Sequence, residues 1–149
     1  MLLQASGSGG VTLCEGLEKE MGLAPGESLV VTGCISSMPQ LLAAADFVIA
    51  GSGALTLAEL EAVGRASVLI PSPNVAENHQ YYNALELQKA GAAVVIEEKN
   101  LTGDGLVKTV ETLLTTPGKL AEMGANAKTL GNPHSLDLIT EKLLKLVNG

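Results

Sequence analysis

Residues 47–63 of the chain read FVIAGSGALTLAELEAV. Phe47 to Ala50 is a short apolar run typical of a buried strand, and the apolar residues from Leu55 to Val63 recur at the three- and four-residue spacing of a helix. A turn of small residues joins the two. The same alternation of short apolar runs and longer amphipathic segments extends to both ends of the chain, which predicts an α/β fold with a parallel sheet and flanking helices.

Five strands and seven helices are expected along the sequence. The strands are predicted at Leu2–Ala5, Ser28–Thr32, Phe47–Ala50, Ser67–Ile70 and Ala92–Ile96. The helices are predicted at Val11–Met21, Met38–Ala45, Leu55–Val63, Glu77–Ala90, Gly105–Leu114, Lys119–Leu130 and Leu136–Val147. Gly22, Gly64 and Gly91 each follow a helical run, where a left-handed residue often ends the helix.

Composition limits the function classes. The chain has 149 residues, of which 46% are hydrophobic and 17% charged, so a single domain with a real core is expected over residues 1–149. The net charge is −7 and no basic cluster occurs, which argues against a nucleic-acid partner. No apolar run reaches the length of a membrane span, and the first residues do not resemble a signal peptide, so a cytoplasmic location is expected. Neither a metal nor a cofactor is predicted.

The turn from Gly51 to Thr56 is the first candidate site. Ligands of parallel sheets bind at the carboxyl ends of the strands, and the exposed amides at a helix start favour a phosphate. The alternative is a capping box, in which the side chains of Thr56 and Glu59 satisfy those amides and nothing is bound. Composition alone leaves the two interpretations equally supported.

The second candidate site follows the strand at residues 67–70. His79, Gln80 and Asn83 are spaced so that they share one edge of a helix near its N-terminus, where their side chains could hydrogen-bond a polyol such as a sugar. Ordinary capping by Asn78, with a solvated His79, is the alternative. A third, weaker candidate is the phosphate loop containing Ser8 and Gly9, which matches no established phosphate-binding motif.

Three motifs occur in order: SGALT-x-x-E at residues 52–59, HQ-x-x-NA at residues 79–84 and KAGAA at residues 89–93. Together they closely resemble the C-terminal half of the MurG family, the UDP-N-acetylglucosamine transferases that convert lipid I to lipid II in peptidoglycan synthesis. The resemblance covers essentially everything from about residue 28 onward. It implies the C-terminal, Rossmann-like half of a GT-B fold, in which two such domains face each other across a cleft.

The resemblance also implies roles for individual residues. Glu59 matches the carboxylate that hydrogen-bonds the ribose hydroxyls, and Ile35 matches the position whose backbone contacts the uracil. The diphosphate contacts correspond to Ala54, Leu55 and Thr56. The sugar contacts correspond to Gln80 and Asn83, and His79 occupies the position before Gln80. Gly51 stands where the family commonly has a basic residue, and Ser36-Ser37 replaces an acidic pair.

The N-terminal segment differs most from the family. Residues 4–9 align better with a segment that follows the second strand of the family's C-terminal domain than with its phosphate loop, so the first strand and loop of that domain are expected to be missing. The acceptor domain and its general base are expected to be missing as well, and no catalytic residue is assigned.

The resemblance therefore implies the UDP-N-acetylglucosamine-binding half of an inverting glycosyltransferase. The lipid-linked acceptor would be presented by a partner domain or subunit, which would also hold the chain at the inner face of the membrane, and the isolated chain would be inactive. Two alternatives are a non-catalytic remnant or interaction module and the donor subunit of a two-subunit transferase. An apolar stripe on the last helix either contacts the partner or covers this domain's own sheet.

Overall fold

The computed structural model describes residues 1–6, 10–20, 22 and 29–148. Two compact units are present, Met1–Met38 and Pro39–Gly149. Among the described residues, no helix combines the length and the apolar character needed to cross a membrane.

The first unit is a β-α-β arrangement. Strand β1 spans Leu2–Ala5, helix α1 spans Val11–Glu20 and strand β2 spans Leu29–Thr32. The strands are parallel, with Leu2 opposite Leu29 and Ala5 opposite Thr32. The predicted elements are therefore present, although the terminal residues expected for the second strand and the first helix, Ser28 and Met21, lie outside the described residues.

The second unit contains a three-stranded parallel sheet in the order β3-β4-β5. Its strands are β3 (Phe47–Ala50), β4 (Ala66–Leu69) and β5 (Ala93–Val95). Its helices are α2 (Met38–Ala44, beginning at the last residue of the first unit), α3 (Ala54–Val63), α4 (His79–Lys89), α5 (Gly103–Thr115), α6 (Lys119–Leu130) and α7 (Ser135–Asn148). The predicted fold class, a parallel sheet with flanking helices, is confirmed.

The core of this unit lies around the central strand β4, whose four residues are all buried. Ala66 and Val68 pack with Leu113 of α5 and Met123 of α6. Because side chains alternate across a strand, Ser67 and Leu69 point to the opposite face of the sheet. The buried strand and the helices on it hold the ends of β3 and β4 in fixed positions, and the first two candidate sites begin at those ends.

Helices α3 and α4 end just before the glycines that the sequence predicts as helix ends. Gly64 ends α3 with φ 68°, and Gly91 follows α4 with φ 71°, so both adopt the left-handed conformation expected of them. Gly64 also lies against α6, where a Cβ on Gly124 would come within 2.5 Å of the Gly64 carbonyl oxygen. Helices α3 and α6 can therefore meet closely only because a glycine occupies this position of α6.

The predicted helix over Glu77–Ala90 is wrong at its start. A 3-10 turn spans Ala76–Asn78, and α4 begins only at His79. Glu77 and Asn78 have φ values of 52° and 53°, and two successive left-handed residues cannot continue a right-handed helix.

The apolar stripe of α7 is exposed rather than packed on the sheet. Leu136 is 74% exposed and Leu146 81%, with Ile139 and Leu143 at 56% each. The alternative in which this stripe covers the domain's own sheet is therefore wrong.

Candidate functional site

The N-terminus of α3 opens directly from β3 through Gly51, Ser52 and Gly53. Gly53 is the residue before the helix, in an extended conformation with φ −63° and ψ 144°, and its carbonyl oxygen accepts the first helical hydrogen bond from Leu57 N–H at 3.1 Å. No described side chain caps this end, and its first turn contains no acidic residue. The amides of the first turn, which have no acceptor within a helix, are therefore available to a ligand.

The capping-box alternative is wrong. It requires Thr56 to be the residue before the helix, but α3 starts two residues earlier, at Ala54, so Thr56 lies inside the first turn. Among the described residues, the side chains of Thr56 and Glu59 form no hydrogen bond or ion pair. Both are half-buried and both remain available to an external partner.

Gln80 lies where the first two candidate segments meet. The Ser52 hydroxyl donates to the main-chain oxygen of Gln80 at 2.8 Å, and the Ser72 N–H donates to the Gln80 side-chain oxygen Oε1 at 3.0 Å. A Cβ added to Gly51 would lie 3.8 Å from the same Oε1. The structure therefore brings the turn after β3, the segment after β4 and the first turn of α4 into one place.

The two other candidate residues of α4, His79 and Asn83, lie on the same edge of the helix. His79 is exposed, and its Nδ1 lies 2.9 Å from the Ala76 carbonyl oxygen. Asn83 is half-buried, one helical turn beyond His79. Asn78 precedes the helix but makes no side-chain cap, so the alternative of ordinary capping by Asn78 is wrong, although His79 is indeed solvated.

The other predicted site residues lie elsewhere. Ile35 is half-buried in the first unit, after β2, whereas the seven other predicted UDP-sugar contacts belong to the second. Ser8 and Gly9, the predicted phosphate loop, lie outside the described residues.

The electrostatics of the α3 N-terminus depend on backbone dipoles. Arg65, the one arginine in the sequence, donates from Nε to the Leu42 carbonyl oxygen at 2.9 Å and from its terminal nitrogen to the Ala43 carbonyl oxygen, so it is held at the end of α2. Helix α3 itself contains no lysine or arginine. A bound anion would meet the first-turn amides and the positive end of the helix dipole. Within the described part of the chain, no group of three His, Cys, Asp or Glu side chains could hold a metal ion.

These features define an α/β fold with an uncapped helix N-terminus that follows a parallel strand. Comparison with known proteins shows the family. Residues 12–139 match the glycosyltransferase family 28 C-terminal domain. The chain belongs to that family.

Two sequence relatives are consistent with this family. A UDP-N-acetylglucosamine–N-acetylmuramyl-(pentapeptide) pyrophosphoryl-undecaprenol N-acetylglucosamine transferase of Desulforudis audaxviator is 44% identical over 148 residues, 97% of this chain and 39% of that protein. The enzyme of the same name from Halalkalibacterium halodurans is 42% identical over 130 residues, 87% of this chain and 35% of that protein. The chain thus spans well under half the length of these relatives.

Solved structures show the same fold. The crystal structure of Acinetobacter baumannii MurG superposes with a TM-score of 0.81 at 27% identity, covering 96% of this chain and 40% of that one. The glycosyltransferase VinC, in complex with dTDP, superposes with a TM-score of 0.65 at 20% identity, a likeness of fold alone. The resemblance to the MurG family and to the C-terminal half of a GT-B fold is confirmed, and the alternative of a non-catalytic remnant is not favoured.

Sequence reasoning did not identify two groups of the site. Ser52, fully buried, and the main chain of Ser72 are the partners that fix Gln80. A serine between two glycines at the end of an apolar strand could have signalled the first, because a buried hydroxyl needs a hydrogen-bond partner. No side-chain pattern could have signalled the second, since it is a backbone amide.

Proposed function

We propose that this chain is the donor-binding half of an inverting glycosyltransferase and that its 149 residues act as one domain that holds UDP-N-acetylglucosamine. The observation that carries the proposal is the uncapped N-terminus of α3 beside the first turn of α4. The printed names of the relatives, which are N-acetylglucosamine transferases, support the choice of sugar.

The proposed assignments follow the chemistry of each group. The amides of Ala54, Leu55 and Thr56 would contact the diphosphate, and Glu59 would accept hydrogen bonds from the two ribose hydroxyls. Ile35 would contact the uracil through its backbone. Gln80 and Asn83 would contact the sugar, with His79 beside them.

The chemical contribution of this chain would be electrostatic. When the glycosidic bond to the diphosphate breaks, negative charge accumulates on the departing UDP. The first-turn amides and dipole of α3 are oriented before the reaction, so they stabilise that charge without reorganising. We assign no general base to this chain.

The acceptor side of the reaction lies beyond this site in the proposal. A lipid-linked acceptor such as lipid I would be presented by a partner domain or subunit, which would also bring this chain from the cytoplasm to the inner face of the membrane. The exposed apolar stripe of α7 supports contact with a partner, because its four residues are more than half exposed.

The proposal is tested by titrating the ¹⁵N-labelled chain with UDP, UDP-N-acetylglucosamine and ADP. We expect both uridine ligands to shift the amides of Ala54, Leu55 and Thr56, and the sugar ligand alone to shift Asn83 further. ADP is the control for non-specific phosphate binding. Equal shifts with all three ligands, or none with any, would contradict the proposal.

A variant and an activity assay extend the test. Asn83→Ala should weaken UDP-N-acetylglucosamine and leave UDP unchanged, and equal losses for both ligands would remove Asn83 from the sugar site. In a UDP-release assay with lipid I, the chain alone should transfer no sugar, and an acceptor-binding domain added in trans should restore turnover. Robust transfer by the chain alone would overturn the requirement for a partner.

A further inference from the structure

The side-chain amide of Gln80 is held at one end only. Its Oε1 accepts from the Ser72 N–H at 3.0 Å. Because a backbone N–H can only donate, the atom facing it must be oxygen, which fixes the direction of the amide. The nitrogen at the other end, Nε2, forms no hydrogen bond with any described residue. The other end of Gln80 therefore carries two N–H donors that no described residue pairs with.

The main chain of Gln80 is anchored separately. Ser52 is fully buried, and its hydroxyl donates to the Gln80 carbonyl oxygen at 2.8 Å. This bond joins the turn before α3 to the first turn of α4, two segments that are 28 residues apart in sequence. It therefore controls where Gln80 stands relative to the α3 amides.

Ser67 provides a comparison inside the same unit. It is also fully buried, but its hydroxyl has no hydrogen-bond partner among the described residues. A buried hydroxyl contributes to packing in both places, and only that of Ser52 also holds a site residue. Comparing substitutions at Ser52 and Ser67 therefore distinguishes a positioning role from a purely structural one.

We propose that Ser52 and the main chain of Ser72 are positioning groups that present Gln80 as a hydrogen-bond donor. Gln80 would then recognise a lone pair on a sugar hydroxyl oxygen, rather than accept the hydroxyl proton. This inference rests on the proposed function, because it assumes that a nucleotide sugar occupies the site.

The first test needs no ligand. Amide hydrogen exchange at Ser72 is compared in the wild-type chain, Gln80→Leu and Gln80→Glu. We expect slow exchange in the wild type and in Gln80→Glu, which keeps an oxygen for the Ser72 N–H, and exchange about tenfold faster in Gln80→Leu, which does not. Exchange at Val68 in the central strand is the control for global opening. Equal exchange at Ser72 in all three proteins would overturn the anchor.

The second test measures ligand preference, the ratio of the dissociation constants for UDP and UDP-N-acetylglucosamine. Because both ligands carry the diphosphate, this ratio largely cancels the repulsion from an introduced carboxylate. Gln80→Leu should lower the preference by about tenfold, the value of one hydrogen bond. Gln80→Glu should lower it less, since a carboxylate cannot donate to the hydroxyl oxygen but can accept the hydroxyl proton in its place. Ser52→Ala should lower it partly, and the matched control Ser67→Ala should not change it.

The outcomes of the second test distinguish the proposed function from the inference about Gln80. If the wild type binds neither ligand, the proposed function falls, and this inference falls with it. If the wild type prefers the sugar nucleotide and Gln80→Leu keeps that preference, Gln80 forms no hydrogen bond with the sugar, so only this inference is overturned. If Ser67→Ala lowers the preference as much as Ser52→Ala, or Ser52→Ala has no effect, Ser52 is not a positioning residue. Should Ser52→Ala fail to fold, Gln80→Leu still decides whether Gln80 hydrogen-bonds the sugar, and hydrogen exchange at Ser72 still decides which end of its amide is free to do so.

Discussion

Helices α3 and α5 begin in opposite ways. At α5, the Thr102 hydroxyl accepts from the Gly105 N–H at 3.1 Å, and Asp104 places a carboxylate in the first turn. At α3, Gly53 precedes the helix without a side-chain cap, and the first turn holds no acidic residue. The N-terminus of α5 is therefore satisfied by its own sequence, whereas that of α3 is left open.

This difference separates a helix end that its own side chains satisfy from one whose amides stay open. A side-chain cap contributes about 1 kcal/mol to helix stability, and a carboxylate near the positive end of the dipole adds about 0.3 to 1 kcal/mol. Helix α3 forgoes both contributions, and the same amides and dipole remain for a ligand. An anion at α3 would supply in the complex what Thr102 and Asp104 supply permanently at α5.

Giving α3 a capping carboxylate at its N-terminus should have the largest effect on the affinity for UDP. The extended backbone of Gly53 suits any residue, and a Cβ there would meet nothing within 4 Å, so Gly53→Asp can be accommodated. The new carboxylate would cap the amides and repel the diphosphate, which should weaken UDP by about 100-fold, since hydrogen bonds to charged groups contribute about 1.5 to 3 kcal/mol each. Calorimetric titration measures the affinity, and thermal unfolding should show a more stable chain.

Gly53→Asn is the matched control, because it can cap the helix without adding charge. It should weaken UDP less than Gly53→Asp. If both variants stabilise the chain and neither changes the affinity for UDP, the open end of α3 is not the diphosphate site.

Replacing Glu59 should have the next largest effect on the affinity for UDP. It stands in the second turn of α3 without a hydrogen-bond partner among the described residues. Glu59→Gln should weaken UDP by about 1.5 to 3 kcal/mol, the range for hydrogen bonds to a charged group, and barely change the melting temperature. Affinity is measured by titration with UDP and with uracil, which lacks the ribose. Equal losses for the two ligands would exclude the ribose contact.

Removing the side-chain cap of α5 is the reverse experiment, and it should lower the stability of the chain without changing its affinity for UDP. Thr102→Ala removes the hydroxyl that accepts from Gly105, so the free energy of unfolding should fall by about 1 kcal/mol. Chemical denaturation measures the loss, and Thr102→Ser, which keeps the hydroxyl, is the control. The affinity for UDP should stay unchanged, and a new anion site at α5 would mean that an uncapped helix end is sufficient by itself.

Much of the second unit could be predicted from the sequence because its elements have strong local signals. Helix α6 spans Lys119–Leu130 as expected, between a proline turn and a glycine break, and strand β3 spans Phe47–Ala50 as expected. Short apolar runs bounded by turn residues determine such elements almost locally. Most of the residues proposed for the site come from three motifs with family-like spacing, and their roles stay a prediction.

The contacts that organise the site could not be predicted in the same way. The bonds that Gln80 makes to Ser52 and Ser72 join residues 28 and 8 positions apart in sequence, and one of the donors is a backbone amide. The delayed start of α4 depends on left-handed Glu77 and Asn78, although glutamate ordinarily favours a helix. Tertiary structure overrides local preference at these positions, next to the candidate site.

The smallest expected effect comes from the other end of α3. Glu61 lies in the last turn, where the helix dipole is negative, and desolvation by burial raises the pKa of its carboxyl above the ordinary 4.5. Because the folded pKa is the higher one, the fold favours the protonated form. That contribution to stability is fully present below the unfolded pKa and is lost as the pH rises through the folded pKa.

Glu61→Gln should therefore raise the melting temperature slightly at pH 7, and the difference from the wild type should shrink as the pH falls toward and below 4.5. Thermal unfolding across this range measures it. The variant is also the matched control for Glu59→Gln, because it makes the same substitution two residues further along α3 and should leave the affinity for UDP unchanged. A loss of affinity equal to that of Glu59→Gln would mean that the charge of the whole helix matters, and the contrast between an open binding end and a structural end would no longer hold.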